Sequence, residues 1–202
     1  MQKIIANIIS VIFHPLIMPT LGIFLLFNSN PFFSLISFEQ QKIIYYIVIG
    51  CTFVLPIVII PFFIFQSLIK SIRLEEKEER RIPLFITLTF YYFAYYILKK
   101  ISAPEIIVSY ILSCFIAVAV TLLISIKFKI SAHLIGIGGV TGFIIAISFT
   151  LMINSQLILM LLILISGLIG YARLRLNAHN PAQVYAGYFL GMAIVLITLI
   201  FS

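Results

Sequence analysis

Three histidines, His14, His133 and His179, are the only imidazoles in this 202-residue chain. Two of them, His133 and His179, sit beside cationic segments that carry Arg73, Arg80, Arg81, Lys129, Arg173 and Arg175. Guanidinium forks grip phosphate oxygens in pairs. Phosphoryl transfer asks mainly for positioning and for neutralisation of the equatorial oxygens, plus a nucleophile and a proton donor for the leaving oxygen. Two histidines can fill those last two roles, one attacking and one protonating, without a metal or another cofactor. The bland reading stands beside this one, because loops at a membrane surface collect Arg and Lys whatever the protein does.

The elements that position these residues follow from composition. The chain is 63% hydrophobic and 9% charged, with a mean hydropathy of +1.23. An ordinary soluble domain is about half apolar and a quarter charged. So few charges cannot coat a globule, so lipid must be the solvent for most of the surface. Roughly 20 apolar residues in a helix span a bilayer core. Seven apolar segments are present, at about 4–27, 43–69, 82–98, 103–126, 134–152, 156–172 and 182–201. Helices are expected, because lipid cannot satisfy an open backbone, and the alternation of a membrane barrel is absent. The reading is an all-α, polytopic transmembrane bundle of six or seven spans, with residues 1–202 as one domain. The first segment reads as an uncleaved span, because His14-Pro15 interrupts it and no small-residue cleavage site follows.

Punctuation supports these boundaries. Asn28-Ser29-Asn30-Pro31 is a turn cluster. Ser102-Ala103-Pro104-Glu105 has capping-box spacing, with Pro104 in the first turn. Pro15, Pro19, Pro56 and Pro61 lie inside apolar segments and should kink them. Cys51 and Cys114 read as small buried hydrophobes. The pairs Gly138/Gly142 and Gly187/Gly191 have the spacing that lets helices approach closely, so the fifth and seventh spans should pack together. The run Gly136 to Gly142 lacks the preceding strand of a nucleotide loop, so close packing is its better explanation.

Alternating spans put the N-terminus and the segments near 70–81, 127–133 and 173–181 on one face. That face carries ten of the thirteen Lys and Arg. Without Arg73, Lys77, Arg80, Arg81, Lys129 and Arg173, which could serve a site, four face three, so the charge rule does not decide the site's side. The excess of cations has a membrane explanation and does not imply nucleic acid. Tyr45, Tyr46, Tyr95 and Tyr96 fall near the opposite face, as an aromatic belt would. His14 has two readings: an intramembrane functional group, or a neutral ring bonded to a carbonyl freed by a kink.

The segment Ala172-Arg173-Leu-Arg-Leu-Asn-Ala-His179-Asn-Pro181-Ala-Gln183-Val184-Tyr-Ala-Gly187 resembles the third motif of the phosphatidic acid phosphatase type 2/haloperoxidase superfamily. That motif is Ser-Arg, five residues, His, three residues and Asp. Ser131 and His133, 46 residues before His179, match the second motif, Pro-Ser-Gly-His, with Ile130 and Ala132 departing from it. Arg73 and Arg80 have the spacing of the first, although Arg81-Ile82-Pro83 stands where an immediate Pro is usual. The resemblance covers about residues 70–191.

It implies a lipid phosphatase in which His179 is the nucleophile and His133 protonates the leaving group. Arg73, Arg80, Arg173 and Ser131 would hold the phosphate, with Arg81 and Lys129 as adjacent candidates. Gln183 stands where the family has Asp, so it can accept a hydrogen bond from the imidazole but cannot stabilise imidazolium by charge. Asn177 replaces a Gly and could take a left-handed backbone. The expected substrate is a phosphorylated lipid of the phosphatidic acid or polyprenyl phosphate class, in a cell (inner) membrane. A catalytically inactive protein that binds or moves such a lipid is the alternative, and a structural membrane subunit is the third possibility.

Overall fold

The computed structural model describes residues 2–29, 33, 36–65 and 81–202. Among them every regular element is helical. The order is α1 (Gln2–Ile12), a 3-10 turn (Pro15–Ile17), α2 (Met18–Ser29), α3 (Phe38–Ile49), a π turn (Gly50–Val54), α4 (Leu55–Phe65), α5 (Arg81–Lys100), α6 (Glu105–Ile124), α7 (Ala132–Thr150), α8 (Gln156–Arg175) and α9 (Pro181–Ile200). Seven helical stretches are long and apolar enough to cross a membrane, counting α1 to α2 and α3 to α4 as one each. The described residues form the expected all-helical bundle, with seven candidate spans among them where six or seven were expected.

Prolines break the first two spans in different ways. Pro15 starts the 3-10 turn behind His14, so the first span is two helices joined at an angle-setting turn. Pro19 falls in the first turn of α2, where the missing N–H is no loss, so it starts a helix rather than kinking one. Pro56 cannot bond back to Thr52, and the π turn lies directly before it, with Leu55 N–H reaching the Gly50 carbonyl.

Three helices end in the same way. Ser102, Met152 and Asn177 have positive φ, at 54°, 53° and 52°. Each follows a helix whose last carbonyls are closed by a six-to-one bond, as from Ala178 N–H to Arg173 O at 3.1 Å. This corrects the capping box expected at Ser102. Ser102 terminates α5, Pro104 is the N-cap of α6, and no side chain caps that helix. The left-handed backbone expected at Asn177 is present.

The central element is α7, with 67% of its apolar window buried against 22–44% for the others. It packs on α2, α6, α8 and, most extensively, α9. Tyr110 of α6 stacks on Phe143 of α7 at 3.9 Å, and its hydroxyl donates to the Met18 carbonyl at 3.2 Å.

The α7–α9 contact is made by glycine, as the spacing predicts. Gly138 lies on the backbone of Tyr188, Gly142 on that of Met192, and Gly191 on that of Ile135. A Cβ on Gly191 would stand 2.8 Å from Ile135 Cα, far inside van der Waals contact. Gly191→Ala should therefore lower stability by about 1–3 kcal/mol, the usual cost of overpacking. Gly167, with nothing within 4 Å of its Cβ position, is the control. Gly167→Ala should be neutral or slightly stabilising, by up to about 1 kcal/mol. Thermal unfolding of both variants in the same detergent checks this; equal midpoints would mean the helices do not pack through these glycines.

Candidate functional site

The connection between α8 and α9 is short and closed at both ends. Asn177 ends α8 with its left-handed backbone, and Asn180 caps α9 with its side chain on Gln183 N–H at 2.9 Å. Only three residues, Asn177 to Ala178 to His179, lie between the α8 C-cap Leu176 and Asn180. His179 is thereby held in place, and it is only 8% exposed.

Gln183 completes a capping box by accepting from Asn180 N–H through Oε1 at 3.2 Å. A backbone N–H can only donate, so this bond determines which end of the amide faces it. The same Oε1 stands 3.1 Å from His179 Nδ1, and the Lys129 carbonyl is also 3.1 Å from that nitrogen. Both partners are acceptors, so Nδ1 carries the proton. Nε2 is left with its lone pair, the form a nucleophilic imidazole needs.

The connection between α6 and α7 lies against this turn. Ser131 N–H donates to the Gln183 carbonyl at 3.3 Å. Gly187 permits the approach, since its Cβ position is 2.8 Å from Ser131 O. Ser131 occupies the N-cap of α7 yet makes no capping bond with its side chain. Its hydroxyl is buried with no hydrogen-bond partner among the described residues. A buried hydroxyl left in that state costs about 1–3 kcal/mol.

Arg173 and His133 meet on α1. His133 Nε2 is 3.1 Å from the Ser10 carbonyl, and Arg173 Nη1 donates to Ser10 Oγ at 3.4 Å. A carbonyl only accepts, so His133 Nε2 is protonated and Nδ1 is the nitrogen left to exchange a proton. Arg173, His14 and His179 all lie within electrostatic reach of His133. Arg175 turns instead to Gln2, along the packed α1–α8 pair.

Several expectations change here. His133, Arg173 and Arg175 are in helix end turns, not in loops. The last turn of a helix favours cations through its dipole, and a long side chain lets their charge reach the polar face. His14 does not bond to a freed carbonyl. Its Nδ1 accepts from Leu16 N–H at 3.3 Å, making it the N-cap of the 3-10 turn. Its ring stands edge-on to His133 at 5.7 Å.

Of the predicted site residues, His179, His133, Gln183, Ser131 and Arg173 are brought to one end of the bundle, with Lys129 contributing its carbonyl. Arg81 is exposed at the start of α5, which packs mainly on α6, the π turn, α4 and α3. Arg73 and Arg80 lie outside the described residues. Ser10 was missed, because a lone serine in an apolar helix carries no signal of its own; the polar break at His14-Pro15 was the available clue. Among the described residues no three His, Cys, Asp or Glu side chains converge as metal ligands would.

The fold defines a multi-pass membrane protein. Compared with known proteins, the chain matches no family model, no curated protein and no solved structure.

Proposed function

We propose that this chain is a cell-membrane phosphatase for phosphorylated lipids of the phosphatidic acid or polyprenyl phosphate class, akin to the phosphatidic acid phosphatase type 2/haloperoxidase superfamily it resembles. The observation that carries this reading is the bond from His179 Nδ1 to a Gln183 oxygen that the capping box holds in place. It puts the proton on Nδ1, so that Nε2 is the nitrogen with the lone pair, on a turn whose Gln183 carbonyl is bonded to Ser131 N–H.

In this reading the His179 Nε2 lone pair attacks phosphorus, and the bond from phosphorus to the lipid oxygen breaks. His133 Nδ1, having taken up a proton from solvent, gives it to that oxygen, releasing the lipid alcohol. Water then attacks the phosphohistidine, His133 takes its proton, and inorganic phosphate leaves. Arg173 and Ser131 neutralise and orient the phosphoryl oxygens. A site at the ends of α7, α8 and α9 suits a substrate whose tail stays in lipid.

Gln183 favours a second reading, a protein that binds or moves phosphorylated lipid without hydrolysing it, because its amide adds no charge to support an imidazolium. Phosphate release separates the two. Purified protein in mixed micelles, with metals chelated, should release phosphate from phosphatidic acid or from a polyprenyl phosphate. Binding of both lipids with no release from either would assign the chain to the second reading.

A further inference from the structure

We infer that α1 and the turn behind it form a wall of the phosphate site, in which Ser10 positions the Arg173 guanidinium and His14 positions the His133 ring. The inference rests on the phosphate reading above and extends the site to residues outside the region of family resemblance.

Ser10 differs from the hydroxyls that bond back into their own helix. Thr52, Thr87, Thr121, Thr141, Ser148, Ser166 and Thr198 each donate to the carbonyl four residues back. This is the ordinary way to satisfy a hydroxyl in an apolar helix. Ser10, buried on α1, makes no such bond. Its oxygen accepts from Arg173 Nη1, so its own proton remains to be donated. A phosphoryl oxygen held by Arg173 is the acceptor that this arrangement fits.

The wall is built to stand close. Ala6 and Ser10, one turn apart, are the buried residues of α1, and both are small. Gly136, one turn after His133, seats the 3-10 turn: its Cβ position is 3.5 Å from Pro15 Cα and 2.7 Å from Met18 Cγ. His133 is therefore held from two sides, by the Ser10 carbonyl at Nε2 and by the His14 ring across its face or edge at 75°. His14 is itself fixed by accepting from Leu16 N–H, so its proton is on Nε2. Among the described residues His133 Nδ1 makes no hydrogen bond, and it is the nitrogen the proposed proton transfer uses.

The ligand chemistry is a phosphate monoester dianion, which a lipid headgroup and free phosphate share. The test uses the full chain in lipid nanodiscs, with histidine ring nitrogens labelled for NMR. Dioctanoyl phosphatidic acid and inorganic phosphate are titrated separately, so that lipid and free anion are told apart. Ser10→Ala should weaken binding roughly tenfold, the effect of losing one hydrogen bond to a charged group, and Ser10→Thr should restore it. His14→Asn keeps a side-chain acceptor for the cap, so the unfolding midpoint should hold while the His133 ring signals move. Wild-type binding that Ser10→Ala leaves intact, or His133 signals unmoved in folded His14→Asn, overturns this inference alone. Wild-type protein that binds neither ligand overturns the phosphate reading and this inference with it.

Discussion

Replacing His179 by alanine is expected to abolish phosphate release from phosphatidic acid in mixed micelles, a loss of at least about 10³-fold and as much as 10⁶-fold. The size follows from the role. If Nε2 forms the bond to phosphorus, its removal eliminates the covalent route, and the remaining cations can only bind. Alanine loses the Nδ1 bonds to the Lys129 carbonyl and Gln183 Oε1, but the Asn180–Gln183 capping bonds and the α8 terminus do not depend on the ring. The Ser131 N–H bond to Gln183 also survives, so the two connections stay together. Substrate binding by the variant should persist, because Arg173 and Ser131 are untouched. Release that continues at the wild-type rate in well-folded His179→Ala protein would end the phosphohistidine mechanism. Acid-labile, base-stable phosphate trapped on wild-type protein and missing from the variant would support it directly.

Gln183→Glu is expected to raise turnover, by at least tenfold and by as much as about 10⁴-fold. The upper figure is the cost of losing the corresponding carboxylate charge in a serine protease. The structure shows why glutamate is the substitution to make, although aspartate is the family residue. Gln183 is at the third position of α9 and its side chain must reach both Asn180 N–H and His179 Nδ1. Glutamate has the same length and is the usual partner in a capping box, whereas aspartate is shorter by one methylene. A carboxylate here also sits in the first turn of α9, where the helix dipole favours it. It would stabilise the imidazolium that develops as His179 attacks and departs. An unchanged rate, with thermal stability equal to or above wild type, would show that charge on this ring does not limit the reaction. Appearance of turnover in the variant from a wild type with none would identify the chain as a binder built on a catalytic frame.

The fold and much of the site were legible in the sequence, for reasons that can be named. Apolar runs of bilayer length leave the backbone no option but helix, so the spans could be read from composition alone. The glycine pairs announced the α7–α9 contact, because only a missing Cβ allows backbones so close. Spacing alone put Arg173, His179 and Gln183 on one short segment. It could not say which end of the Gln183 amide faces the ring. That depends on Asn180 N–H, whose position exists only once α9 starts at Pro181. Nor could it place His133 and Arg173 in helix end turns, because element boundaries depend on how the caps close. The capping box expected at Ser102 failed for that reason: the residue was already used to terminate α5.

What the sequence determined by itself is the solvent, the helical class of the spans and the residues proposed for phosphate chemistry. These depend on side-chain type and local spacing, which a chain carries unfolded. What only the tertiary structure decided is the partner of each functional group. Ser10 and Arg173 are 163 residues apart, and Ser10 and His133 are 123 apart, so nothing local links them. They meet because Gly136 lets the turn at Pro15 close on α7 and Ala6 lets α1 close on the bundle, a packing outcome of the whole molecule.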